Sequence, residues 1–381
     1  MSARYGGSTI NKGSSSSGGF LFGLALFLAS FPVLFLNEGN AVKTARALDE
    51  GKGAVVSLPF ASVDPANEGK LVYFSGSAVT DDELVDGYTG LRTHAIKLHR
   101  IAEMYQWKET TKKNEDRTEY YYDKAWSENH MNSDHYHNKS YSNPASMRVK
   151  GERYAAANVF VNEFRLSPNL IESISTHEPL PVTDEMYGSF SDSLRGGALL
   201  YNGGLYLGRS PQEPQIGDIR VSYRIYPEQE VSVVAMQQNG RAVEYTTSNG
   251  KTLEILYSGF RTADQIFAAE HKKNVIFTWI IRGAGVLVMY LGLMMSVGQL
   301  ARLFSWIPLL GSVVAGGMAL MAGLMSLSLS FIVISVAWIF YRPLLGIGLL
   351  AAAGLLLAVI LKKSPGGETG TADQPPPLPV D

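Results

Sequence analysis

Three histidines lie within eight residues, His130, His135 and His137, in the segment SENHMNSDHYHNKS with Glu128 and Asp134 beside them. Neutral imidazoles are good zinc and copper ligands, so this is the first place to look for a metal. The spacing matches no firm ligand motif, and the segment favours a solvated polar loop. His94 and His99 flank Lys97 on an expected strand with no acid or nucleophile partner in reach of the sequence. Gly6-Gly7, Gly196-Gly197 and Gly203-Gly204 lack the Lys-Ser/Thr of a phosphate loop, and Asp81-Asp82-Glu83 reads as a solvated turn. The chain has no cysteine, which removes thiol nucleophiles, disulfides and Cys-built zinc sites. No cofactor and no catalytic constellation are expected.

Two arginines border apolar segments. The guanidinium groups of Arg282 and Arg342 match phosphate geometry, so both are candidates for binding lipid phosphate. Arg282 has two readings. If its helix begins at Val275 it lies two turns deep and needs a partner; if the hydrocarbon begins after it, Arg282 and Trp279 are interfacial anchors. The second is favoured. A further pattern, Gly311, Ala315, Ala319 and Gly323, repeats every four residues and lines one helix face. Small residues so spaced let helices approach closely in lipid. Packing within the chain's own bundle is favoured over contact with a second copy.

These residues must be positioned by membrane spans. Between Arg302 and Arg342 run 39 residues without an ionisable side chain except Tyr341. One helix of that length would measure roughly 58 Å, nearly twice the roughly 30 Å hydrocarbon core. A span over 312–340 preceded by an interfacial connector at 302–311, with Trp306 and Pro308, resolves the mismatch. Further spans are expected at 20–36, retained as a signal anchor, at 275–301 and at 343–361. Residues 37–51 read as a juxtamembrane helix with Gly51 as its cap, and 261–274 as a helix opened by a Thr262/Gln265 capping box. Residues 1–19 and 362–381, Ser/Gly-rich and Pro-rich, are expected to be disordered.

From 52 to 260 the pattern has period two, with turns at Asn202-Gly203, Asn239-Gly240 and Asn249-Gly250. Leu71–Val79 and Asp218–Tyr226 are expected strands, and Met104–Glu109 with Glu119–Trp126 an aromatic hairpin. Asn162–Asp192 is irregular. The fold class is thus an α+β membrane protein with four transmembrane helices, one N-terminal and three C-terminal, and a large β-rich extramembrane domain inserted between spans one and two. A net charge of −2 offers no field for nucleic acid. Arg4, Lys12, Arg302, Lys362 and Lys363 fall on one side of a four-span layout, which favours cytoplasmic termini and an extracytoplasmic β domain, against Lys43, Arg46, Lys272 and Lys273.

The chain resembles the transmembrane protein 43 (LUMA) family. The resemblance rests on Asn37-Glu38-Gly39 with Val42-Lys43-Thr44-Ala45, on Asn67–Val72, AIKLHRIAEMYQWKE at Ala95–Glu109, NPASM at Asn143–Met147, GDIRVSY at Gly217–Tyr223 and FYRPL at Phe340–Leu344. It implies a multi-pass protein with a large domain between spans one and two, lumenal at the ER or nuclear envelope in animals, with roles in membrane organisation and self-association and with lamina-type partners. No established enzymatic chemistry comes with it. The short N-terminal tail, the proline-rich end and the absent cysteine point to a bacterial member in the cytoplasmic membrane, to which nuclear partners and the Asn138-Lys139-Ser140 sequon would not apply. The expected function is a non-enzymatic, homo-oligomeric membrane scaffold with membrane-lipid or protein partners. The alternative is a lipid-binding or lipid-modifying protein with a groove between bundle and domain.

Overall fold

The period-two pattern after Gly53 is realised as two sheets. The computed structural model describes residues 3–5, 16–113, 118–302 and 310–343. In the first sheet the long strand Lys97–Lys113 pairs with Thr118–Ser127 on one side and with Ile219–Tyr226 on the other, all antiparallel. Leu199–Tyr201 and Gly204–Leu207 extend it. The aromatic hairpin pairs Met104–Lys113 with Thr118–Ser127, longer than expected, and its first strand starts further back at Lys97. In the second sheet Leu71–Val79 pairs with Gln229–Gln238, and the path continues through Arg241–Val243, Phe164–Leu166 and Phe160–Val161 back to Leu71–Val79, closing a ring of strands. Phe74 and Phe164 stack within it, ring centroids 4.3 Å apart.

Alternation sets which residues go inside. Along Ile219–Tyr226, Ile219, Val221 and Tyr223 are buried while Arg220, Ser222 and Arg224 are exposed. Asn202 and Asn239 adopt positive φ, as do Gly203 and Gly240, the geometry that a two-residue hairpin turn requires. The irregular stretch after Asn162 holds short helices that sequence patterning missed: Pro168–Ser173, Asp184–Ser189 and Asp192–Gly197. Each follows a Ser or Thr whose side chain accepts from the amide three residues on: Ser167 from Leu170, Thr183 from Met186, Ser191 from Leu194. Those caps were the legible signal.

The chain divides into two compact units, a β-rich one built mainly from Ala45–Lys273 and a helical one from the described residues of 15–44 and 274–381. Three helices among the described residues are long and apolar enough to cross a membrane. The first runs Ser16–Ala54, so helix replaces the expected disorder at Ser16–Gly19, and the expected span and juxtamembrane helix are one element. Gly51 is not its cap. The helix continues to Ala54, and a Cβ at Gly51 would strike Leu253 and approach Phe267. The second runs Ala263–Arg302, opened by the expected reciprocal cap: Thr262 N donates to Gln265 Oε1 at 3.0 Å, and Gln265 N donates to Thr262 Oγ1 at 3.3 Å. The third runs Leu310–Tyr341. Most of the connector at 302–311, nearly all of the span at 343–361 and the tail at 362–381 lie outside the described residues.

The helical unit buries polar side chains beside apolar ones such as Leu34, Met289 and Ala337, and exposes large apolar ones. Ser30, Asn37, Glu38, Thr278, Ser326 and Ser330 are buried, whereas Phe22, Leu36, Ile280, Leu320 and Phe331 are exposed. An exterior of that kind belongs in hydrocarbon rather than water. The first and second helices approach each other closely at the backbone. A Cβ on Gly292 would sit 2.5 Å from Phe27 N and 2.7 Å from Gly23 O. Gly292→Ala is expected to cost about 1–3 kcal/mol through overpacking. Gly323→Ala, where a Cβ meets nothing within 4 Å among the described residues, is expected to melt like the parent in detergent.

Candidate functional site

The chemistry-bearing side chains gather at one place in each unit. In the helical unit the site begins with a sequence conflict. Glu38 follows an apolar run, and a helix carrying an acid there must find it a partner. Arg282 supplies one: its Nε and Nη2 donate to Glu38 Oε1 and Oε2 at 2.6 and 2.7 Å. Trp338 Nε1 donates to the same Oε2 at 2.8 Å. The Arg282 guanidinium also lies over Trp279 and Trp338, 4.6 and 5.8 Å from the ring centroids. The three long helices each contribute one member of this triad. The neighbouring motif residues serve the same junction. Asn37 Nδ2 donates to Thr278 O at 3.2 Å, Asn274 Nδ2 donates to Ala41 O at 2.9 Å, and Gly39 gives room for the Tyr341 ring.

In the β-rich unit, Asp86 is fully buried and forms the hub of a second network. Tyr223 and Thr89 hydroxyls donate to its Oδ2 at 2.6 and 2.7 Å, and Tyr154 donates to Oδ1 at 2.8 Å. Arg100 pairs with Oδ1 and reaches Glu152 at 2.9 Å with its other terminal nitrogen. Burial pushes the Asp86 carboxyl up, but the hydrogen bonds from Tyr223, Thr89 and Tyr154 and the charge on Arg100 outweigh it and hold the group below its ordinary value. The Tyr154 phenol is pushed up to about 12 by burial and by donating to the two carboxylates. Both clusters present closed, mutually satisfied hydrogen bonds. Their chemistry is to hold separate segments together.

The sequence-derived candidates disperse. His130 Nε2 sits 2.7 Å from Pro144 O, and His137 stacks on Tyr120 at 4.2 Å. No group of three or more metal-ligating side chains assembles among the described residues, so the structure does not bring His130, His135 and His137 to one point. Arg282 is not the water-directed anchor that was favoured. Its side chain is 14% exposed, and its fork is occupied by Glu38. Arg342 ends the third helix, its amide donating to Trp338 O at 2.8 Å. In the small-residue stripe, Ala319 and Gly323 are half-buried, and the buried face is the adjacent one, Ala322, Ser326, Ser330 and Ala337. The side chains at Gly311 and Ala315 lie outside the described set. In the sequence Glu38 stands out only as part of the Asn37-Glu38-Gly39 motif. An acid and an arginine, each within one or two turns of an apolar run, were the signal for their pairing.

Comparison with known proteins follows the same motifs. The family model described as Transmembrane protein 43 matches residues 104–343. The chain is similar to Transmembrane protein 43 of Rattus norvegicus, 34% identical over 367 residues that cover 91% of this chain and 90% of the relative. Similarity to the Homo sapiens protein is also 34%, over 368 residues with the same coverage. The Drosophila melanogaster homolog is 29% identical over 350 residues, 87% of this chain and 91% of its own. No solved structure matches the chain.

Proposed function

The chain belongs to the transmembrane protein 43 family, and from that premise we propose that this membrane protein is a non-enzymatic scaffold whose β-rich domain is the partner-binding part. One observation carries the reading. Both long helices that border the domain end inside its core: Ala47 and Leu48 of the first and Ile266 and Phe267 of the second are buried with Leu71, Tyr73, Val234 and Leu253. A domain whose core takes in segments of both helices is tethered to the membrane at both ends of its sequence and suited to binding partners there. The charge distribution in the short segments favours cytoplasmic termini and a domain on the opposite side. That side is the exterior for a bacterial cytoplasmic membrane and the lumen for an endomembrane. Self-association is part of the proposal, with the Ala319/Gly323 face, open at Gly323 among the described residues, offered to a second copy.

The test is extraction and topology on the full chain in its own membranes. Retention after carbonate washing, with protease added to sealed vesicles reaching the centre and the two tails from opposite sides, is the expected result. Release by carbonate, or centre and tails on the same side, removes the reading. A pull-down in native lipid that returns a stoichiometric protein partner or a second tagged copy supports the scaffold. Turnover of a co-purified lipid overturns it.

A further inference from the structure

Three adjacent strands of the first sheet carry a row of basic side chains. In the antiparallel register Arg153, on Glu152–Ala155, is paired with His99, and His99 is paired with Arg224 on its other side. Directly paired residues share a face of the sheet, and like charges placed opposite one another destabilise it. Lys97, two residues before His99, faces the same way. Arg153 and Arg224 make no hydrogen bond or ion pair among the described residues, whereas on the same face Arg220 is paired bidentately with Glu103. The sheet therefore shows both arrangements, charges neutralised and charges left open, four residues apart along Ile219–Tyr226.

Beside this row lies a pocket of about 320 Å3 lined by Lys97, His99, Arg153, Glu172, His177 and Tyr226. Arg224 is outside that lining and stands at its margin through its pairing with His99. Lys97 Nζ donates to Glu172 O at 2.7 Å, lies 3.8 Å from its carboxylate and sits 4.4 Å over the Tyr226 ring. Glu172 thus offsets Lys97, Glu128 acts on His99, and the Arg153 and Arg224 guanidinium groups keep no ion pair among the described residues. Burial first, and the charge on Arg153 next, hold His99 below the ordinary imidazole value, with Glu128 acting in the opposite direction.

We propose that this pocket binds a small phosphate-bearing anion, held by Arg153 and Arg224 with His99 and Lys97 beneath it. A phosphate monoester carries roughly −1.5 to −2 charge, opposite in sign to the two unpaired guanidinium groups, and its oxygens suit guanidinium forks. The pocket's volume accommodates a headgroup or a free phosphate rather than an extended polymer. The inference stands independently of the scaffold reading, since a scaffold without this ligand and a ligand site without scaffolding are separately measurable.

The test uses the full chain in a neutral detergent, titrated calorimetrically with inorganic phosphate and, separately, with dihexanoyl phosphatidic acid. Saturable binding is expected, weakened by about tenfold or more in Arg153→Gln and in Arg224→Gln, the loss of one charged hydrogen bond each. Arg241→Gln, on an exposed position of the other sheet, is expected to leave binding unchanged. Affinity for phosphatidic acid about tenfold or more above phosphate assigns a lipid headgroup, and equal affinities assign a free phosphate. Because both arginines are exposed, the variants fold, and an unchanged melting temperature without ligand verifies it. No saturable binding of either probe up to about 10 mM, or binding indifferent to both substitutions, overturns the proposal.

Discussion

Glu38→Ala is expected to be the most damaging single change in the helical unit. The substitution removes one partner of a buried ion pair and leaves the Arg282 guanidinium, 14% exposed, with no carboxylate to hold it. Breaking such a pair costs about 3–5 kcal/mol, because the remaining charge keeps its desolvation penalty and loses its compensation. Trp338 Nε1 also loses its acceptor, adding the cost of an unmet buried donor. The double variant Glu38→Leu/Arg282→Leu removes both charges and is expected to recover much of the loss, since an apolar pair of similar volume often replaces an ion pair without penalty. Thermal melting in one detergent, read as a double-mutant cycle, measures the coupling. Additive single and double effects would show that the two side chains do not depend on each other. Arg282→Lys should remain below the parent, because an ammonium cannot reproduce two parallel contacts to Oε1 and Oε2.

Arg100→Met is expected to destabilise the β-rich unit on the same scale, about 3–5 kcal/mol, by stranding Asp86. Asp86 is fully buried, and Arg100 is the cation that balances it. The parent protein should also show an acid limb with a defined sign. Asp86 is held below the ordinary carboxyl value of 3.8 in the folded state. Its contribution is therefore complete above the unfolded-state value of about 3.9 and is lost as pH falls through the lower folded value. Stability measured from pH 7 downward should hold this contribution until about pH 4 and decline below it. Asp86→Asn should be less stable at pH 7 and lack that part of the decline. A variant whose acid limb matches the parent's would show that Asp86 does not bear the titration.

Comparison of particular elements shows what was legible from the chain alone. Apolar runs longer than a soluble core requires identify spans by length, so the helices Ser16–Ala54, Ala263–Arg302 and Leu310–Tyr341 lie where hydropathy puts them. Alternation and Asn-Gly pairs locate Leu71–Val79, Ile219–Tyr226 and the hairpin turns, because each depends on neighbours a few residues away. The Thr262/Gln265 cap was readable for the same reason. The short helices after Asn162 were missed because three turns of apolar periodicity never develop in six residues, leaving only their caps as a sign.

The sites were another matter. Glu38 and Arg282 are 244 positions apart, and Asp86 and Tyr223 are 137 apart. Local pattern says that a charge lies near an apolar run; it does not say which distant residue will neutralise it. The Arg153–His99–Arg224 row likewise exists only once strand register is set, since register decides which side chains stand opposite. Class, spans and strands were determined by the sequence itself, through short-range periodicity and the cost of exposing apolar surface. The pairing of buried charges and the clustering of unpaired ones were decided by tertiary structure, because electrostatic compensation depends on distance in space and not on separation along the chain.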